Sequence, residues 1–90
     1  MESLVIALRN LRGTPVGMIV KVQMPSFRLV TEKGAFQEFV RMAREALPLE
    51  HSNVDVYIGW WGQQATIEIP QEFFQLIAET GWPVTFDIND

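Results

Sequence analysis

His51 is the only histidine in the 90-residue chain, and it sits beside Glu50 and Ser52 with Asp55 a few residues on. Serine, histidine and aspartate could form a nucleophilic triad, in which imidazole takes the hydroxyl proton and the carboxylate orients the ring. That chemistry also needs the serine on a strained, exposed elbow, and no Gly-x-Ser-x-Gly pattern surrounds any serine of the chain. A zinc site is equally unsupported. The chain has no cysteine and no second histidine at ligand spacing, so no metal is expected, and His51 reads as a loop residue.

Asp55, Glu68 and Asp87 could in principle work as paired general acid and base. All three are expected on strands, on the side away from the apolar residues, where carboxylates are ordinary solvent-side groups. Gly13 and Gly17 do not make a phosphate loop, because no glycine-rich run leads into Lys-Ser or Lys-Thr. Neither a nucleotide nor any other cofactor is expected, and the chain does not read as an enzyme.

The elements that would position these groups follow from periodicity. Val16, Met18, Val20, Val22 and Met24 alternate with Gly17, Ile19, Lys21 and Gln23, the pattern of a half-buried strand. Leu4 to Leu8 reads as a shorter strand before it, with a helix starting near Ser3 as the competing reading. Phe36, Phe39, Val40, Ala43 and Leu47 line one face of a helix over residues 32–47, ended by Pro48. Its outer face carries Glu38, Arg41 and Glu45, which pair among themselves.

Val54, Val56 and Ile58 predict the next strand, and Ile67 and Ile69 another, so the break from Gly59 to Gln64 reads as a hairpin with Trp60 and Trp61 at its tip. Pro70 suits the first turn of a second helix with Phe73, Leu76 and Ile77 as its buried stripe, and Gly81 suits its left-handed stop. Val84, Phe86 and Ile88 alternate as a last strand. From Val16 on, strand, helix, strand, strand, helix, strand is the ferredoxin-like βαββαβ order. The expectation is a single α+β domain over residues 1–90: an antiparallel sheet with an added N-terminal strand and two helices on one face.

The segment Ala-Thr-Ile-Glu-Ile-Pro-Gln-Glu from Ala65, with Ala-Glu-Thr-Gly-Trp-Pro-Val-Thr-Phe-Asp-Ile after it, resembles the C-terminal part of a family of small bacterial domains of unknown function. Members of that family end in a strand, a helix opened by proline, a glycine-marked stop and a Phe-Asp-Ile strand. Here the stop reads Thr80-Gly81, and Asn89 stands where an aromatic follows in the family. The resemblance spans less than a third of the chain and implies a fold, not an activity.

Charge is distributed unevenly. All seven basic residues lie between Arg9 and Arg44, whereas from Glu45 to Asp90 there is no Lys or Arg, so the net charge of −4 comes from the second half. Glu72 and Glu79 share a helix face with Gln75 between them, and Glu79 occupies the last turn with no local cation to offset the helix dipole. A pI near 4.8 argues against nucleic acid as a partner. The run Leu4 to Leu8 is too short for a membrane span or a signal peptide, and the lack of cysteine fits a reducing, cytoplasmic setting.

At 48% apolar residues the chain has enough hydrophobic material for one modest core. These features together predict a small non-catalytic binding protein that engages a basic protein surface through its acidic half, as an immunity protein, an antitoxin or a phage-encoded inhibitor would. The residues expected to carry the contact are Trp60, Trp61, Glu68, Glu72, Gln75 and Glu79. The alternative is a homo-oligomer, such as a homodimer, that pairs through its exposed sheet face, with or without a small-molecule pocket.

Overall fold

A computed structural model describes residues 3–10, 17–24, 31–46, 54–62 and 67–89. Of the expected turn at Asn10 to Pro15 all but Asn10, which ends a strand, and with it the segment Phe27 to Val30, His51, Ser52 and the Gln63 to Thr66 part of the expected hairpin, lie outside the described residues. The elements are β1 (Ser3–Asn10), β2 (Gly17–Met24), α1 (Glu32–Ala46), β3 (Val54–Trp61), α2 (Gln71–Thr80) and β4 (Val84–Asn89). Residues 3–10 are therefore a strand. Leu4, Ile6 and Leu8 face the helices while Val5 and Ala7 face the other way, and burial on both faces explains why this segment is apolar throughout.

The class is α+β, but the sheet is mixed and its order is β2-β1-β3-β4. β1 is antiparallel to both β2 and β3, whereas β4 runs parallel to β3. The ferredoxin-like arrangement expected from the sequence is thus not the one observed. The departure begins at Gly59. The sequence predicts a break there, yet β3 runs through it to Trp61, pairing Val5 with Gly59 and Ser3 with Trp61.

A Cβ built at Gly59 would lie 2.7 Å from Trp61 Cη2 and 2.8 Å from Tyr57 Cε2. Two aromatic rings close over this position, so the glycine marks a close approach inside a strand. No hairpin follows. Ile67 and Ile69 alternate as a strand would, but residues 67–70 have no regular structure, and the two isoleucines pack half-buried against the core. The chain then returns through α2 to β4, and a parallel neighbour requires such a crossover.

The helices begin and end where side chains and backbone satisfy their ends. Thr31 Oγ1 accepts the Gly34 N–H at 3.0 Å at the start of α1. Pro70 precedes α2, and Gly81, at φ 71°, donates its N–H to the Ile77 carbonyl at 2.8 Å. One core joins Phe36, Phe39, Ala43, Phe73 and Leu76 of the helices to Leu4, Ile6, Leu8, Val56 and Ile58 of the sheet. Phe36 meets Phe73 edge-to-face with ring centroids 5.2 Å apart. α1 lies over β1 and β2, and α2 packs beside α1.

Candidate functional site

α1 and α2 run side by side in the same direction. Gln37 Nε2 donates to Glu72 Oε2 at 2.9 Å near their N-terminal ends, and Arg44 Nη1 donates to Glu79 Oε2 at 2.7 Å near their C-terminal ends. The Gln37 amide and the Arg44 guanidinium each hold their glutamate below the usual carboxylate range. The acidic face of α2 is thereby partly occupied by α1. Glu79 has the cation it lacks locally, supplied across the helix pair.

The other expected site residues are dispersed. Trp60 is buried on the helix side of β3, and its Nε1 has no hydrogen-bond partner among the described residues. Trp61 points to the opposite face, remains 37% exposed, and folds back over Gly59. Both belong to a strand, not to a hairpin tip. Glu68 is exposed between Ile67 and Ile69, off the sheet ladder, and Gln75 is exposed on α2.

Of the carboxylates considered for acid–base work, Asp55 and Asp87 are engaged by neighbouring strands. Asp55 is only 3% exposed and accepts Arg9 Nε at 2.8 Å and Arg9 Nη2 at 2.5 Å. Thr85 Oγ1 donates to the same carboxylate at 2.8 Å. Hydrogen bonding from Arg9, joined by Thr85, outweighs burial and holds Asp55 below its ordinary range. Asp55 is therefore held in its charged form with both oxygens engaged, and is buried where the sequence predicts a solvent-side residue.

The Arg9 guanidinium also lies 4.6 Å from the Tyr57 ring centroid, and Tyr57 Oη donates to Asp87 Oδ2 at 2.9 Å. Asp55, Tyr57, Thr85 and Asp87, with Arg9, thus clamp β1, β3 and β4 together across the helix-free face. Among the described residues no group of acidic or histidine side chains is arranged to hold a metal ion. No helix among them is long and apolar enough to cross a membrane.

The surface that stands out is β4. Its register with β3 places Val84, Phe86 and Ile88 beside Val56, Ile58 and Trp60, hence on the helix side of the sheet. The three β3 residues are buried, but Val84 and Phe86 are 41% exposed and Ile88 is 68% exposed. β4 is also a sheet edge. Val56 donates to the Pro83 carbonyl and Gly62 to the Asn89 carbonyl across the ladder, so by alternation the backbone groups of Val84, Phe86 and Ile88 point outward.

The same three residues therefore offer both apolar side chains and main-chain donors and acceptors that no other strand among the described residues takes up. Periodicity had located the strand but not its exposure, because an apolar stripe reads as core whenever burial is assumed. No family model, no curated protein and no solved structure matches this chain, so the likeness of its C-terminal third to a small bacterial domain family stands on the quoted residues alone.

Proposed function

We propose that the chain is a small non-catalytic protein-binding module that engages a partner through its C-terminal half, in the manner of an immunity protein, an antitoxin or an inhibitor. The observation that supports this most is the open edge of β4, where Val84, Phe86 and Ile88 combine exposed apolar surface with outward main-chain groups. Edges of this kind accept an added strand from another chain, with main-chain bonds giving affinity and side-chain contacts giving selectivity. The half of the chain that contains this edge has no Lys or Arg, which matches a partner segment with basic groups beside its apolar ones. The lack of cysteine suits a cytoplasmic setting.

The centre of contact in this reading is β4, not the Glu72 to Glu79 face, because α1 already takes up those carboxylates. Affinity capture with three baits tests it. Wild-type protein retains a stoichiometric partner, Phe86→Asp loses it while keeping the wild-type circular dichroism spectrum, and Glu72→Lys with Glu79→Lys retains it. Equal capture by wild type and Phe86→Asp overturns β4 as the surface.

A further inference from the structure

We infer that β4 also pairs antiparallel with β4 of a second copy of this chain, about a two-fold axis that passes beside Phe86. The inference rests on β4 being the interaction edge, as proposed above, and names one occupant for it.

The strand is self-complementary in one register. With Phe86 opposite its symmetry mate, Val84 faces Ile88 of the partner, and each of the three outward residues exchanges both main-chain bonds with its opposite number. On the helix side, every cross-strand neighbour is then apolar. On the other side, Thr85 of each copy meets Asp87 of the partner, so a carboxylate faces a hydroxyl-bearing residue.

The neighbouring registers are worse. Centring on Asp87 places two carboxylates directly opposite one another, which is destabilising in a cross-strand pair. Centring on Thr85 leaves Ile88 facing the already buried Trp82. β4 lacks the usual devices against edge pairing: within Val84–Asn89 there is no Lys, Arg or Pro, and its one acidic side chain points away from the apolar stripe.

Such a contact covers on the order of 1,000 Å² over both copies, at the low end for specific interfaces, so the dimer is a weak, reversible one. Each copy has net charge −4, so salt tightens the self-pairing by screening repulsion, whereas it weakens binding to a basic partner. Self-pairing and partner binding compete for one edge.

Because the chain has no native cysteine, single cysteines report the register directly. Thr85 and Asp87 face each other across the closely spaced kind of antiparallel pair, within disulfide reach. Thr85→Cys and Asp87→Cys chains, purified separately and then mixed under mild oxidation, are expected to give the mixed disulfide dimer and little of either like-with-like dimer. Sedimentation equilibrium of the cysteine-free protein is expected to show a monomer–dimer equilibrium that tightens with salt, with Phe86→Asp raising the dissociation constant at least about 100-fold.

Preferential Thr85→Cys self-cross-linking overturns the register. A wild-type chain that stays monomeric up to millimolar concentration overturns the dimer. Both measurements use purified protein only, so their failure leaves the capture experiment on the heterologous partner to decide the broader reading separately.

Discussion

Arg44 Nη1 lies 2.7 Å from Glu79 Oε2, joining the last turn of α1 to the last turn of α2. Because the two helices run in the same direction, their negative dipole ends are neighbours, and one guanidinium answers both. Glu79 in a final turn without a local cation is unfavourable within its own helix but paired in the folded protein. Reversing the charge at Glu79 should accordingly disturb helix pairing more than local helix formation. Glu79→Lys is expected to lower the melting temperature at low ionic strength, with much of the loss removed by high salt, and Arg44→Glu in the same chain should restore it. A thermal melt of the four variants checks this, and an unchanged melting temperature in both single variants would sink the pairing argument.

The Arg9–Asp55 pair should matter more, because Asp55 is nearly inaccessible. Removing the cation in Arg9→Ala leaves a buried carboxylate with Thr85 alone, at an expected loss of about 2–4 kcal/mol, which chemical denaturation measures. Arg9→Lys should recover only part of it, since an ammonium cannot make the fork-shaped contact.

The same pair sets an acid limit on stability. Asp55 has a folded-state pKa depressed by Arg9 and Thr85, so its contribution is fully present above the unfolded value near about 4 and is lost as pH falls through the lower folded value. Denaturant midpoints measured from pH 6 downward should therefore fall in the wild type. In Asp55→Asn that part of the pH dependence should vanish, and identical slopes in both proteins would contradict the assignment.

Much of the fold was legible because it depends on local rules. The alternation of Val20 and Val22, the stripe of Phe36, Phe39, Val40 and Ala43, and the stop at Gly81 each stem from geometry within one element. What was not legible depended on residues far apart in sequence. Gly59 reads as a turn unless Trp61 is known to lie over it. Ile67 and Ile69 read as a strand unless it is known that they fill the core without a ladder partner. Similarly, Asp55 reads as solvent-facing until Arg9, 46 residues earlier, is placed opposite it, and the exposure of Val84, Phe86 and Ile88 requires knowing that α1 lies over β1 and β2, at the other end of the sheet.

Gly81 and Gly59 should respond differently to the same substitution. Gly81→Ala meets no neighbour within 4 Å, but it forces an L-residue to φ 71°, for an expected cost of about 1 kcal/mol without change in the tryptophan environment. Gly59→Ala has the opposite character, since its methyl would sit 2.7 Å from the Trp61 ring. The Trp61 ring, and with it the Tyr57 ring edge, must shift, and because the clashing atoms are the far ends of side chains the cost is expected at the low end of overpacking, about 1 kcal/mol.

Tryptophan emission separates the two cases. Trp60 and Trp82 are buried, so Trp61 is the indole whose environment Gly59→Ala alters. Its displacement into water should shift the emission of the folded protein to the red and increase quenching by acrylamide, while Gly81→Ala leaves both unchanged. Because Trp61 lies on the face away from Val84, Phe86 and Ile88, the self-association of Gly59→Ala should match the wild type wherever the variant is folded. A loss of dimer in that variant would mean that the helix-free face, not the β4 edge, carries the contact.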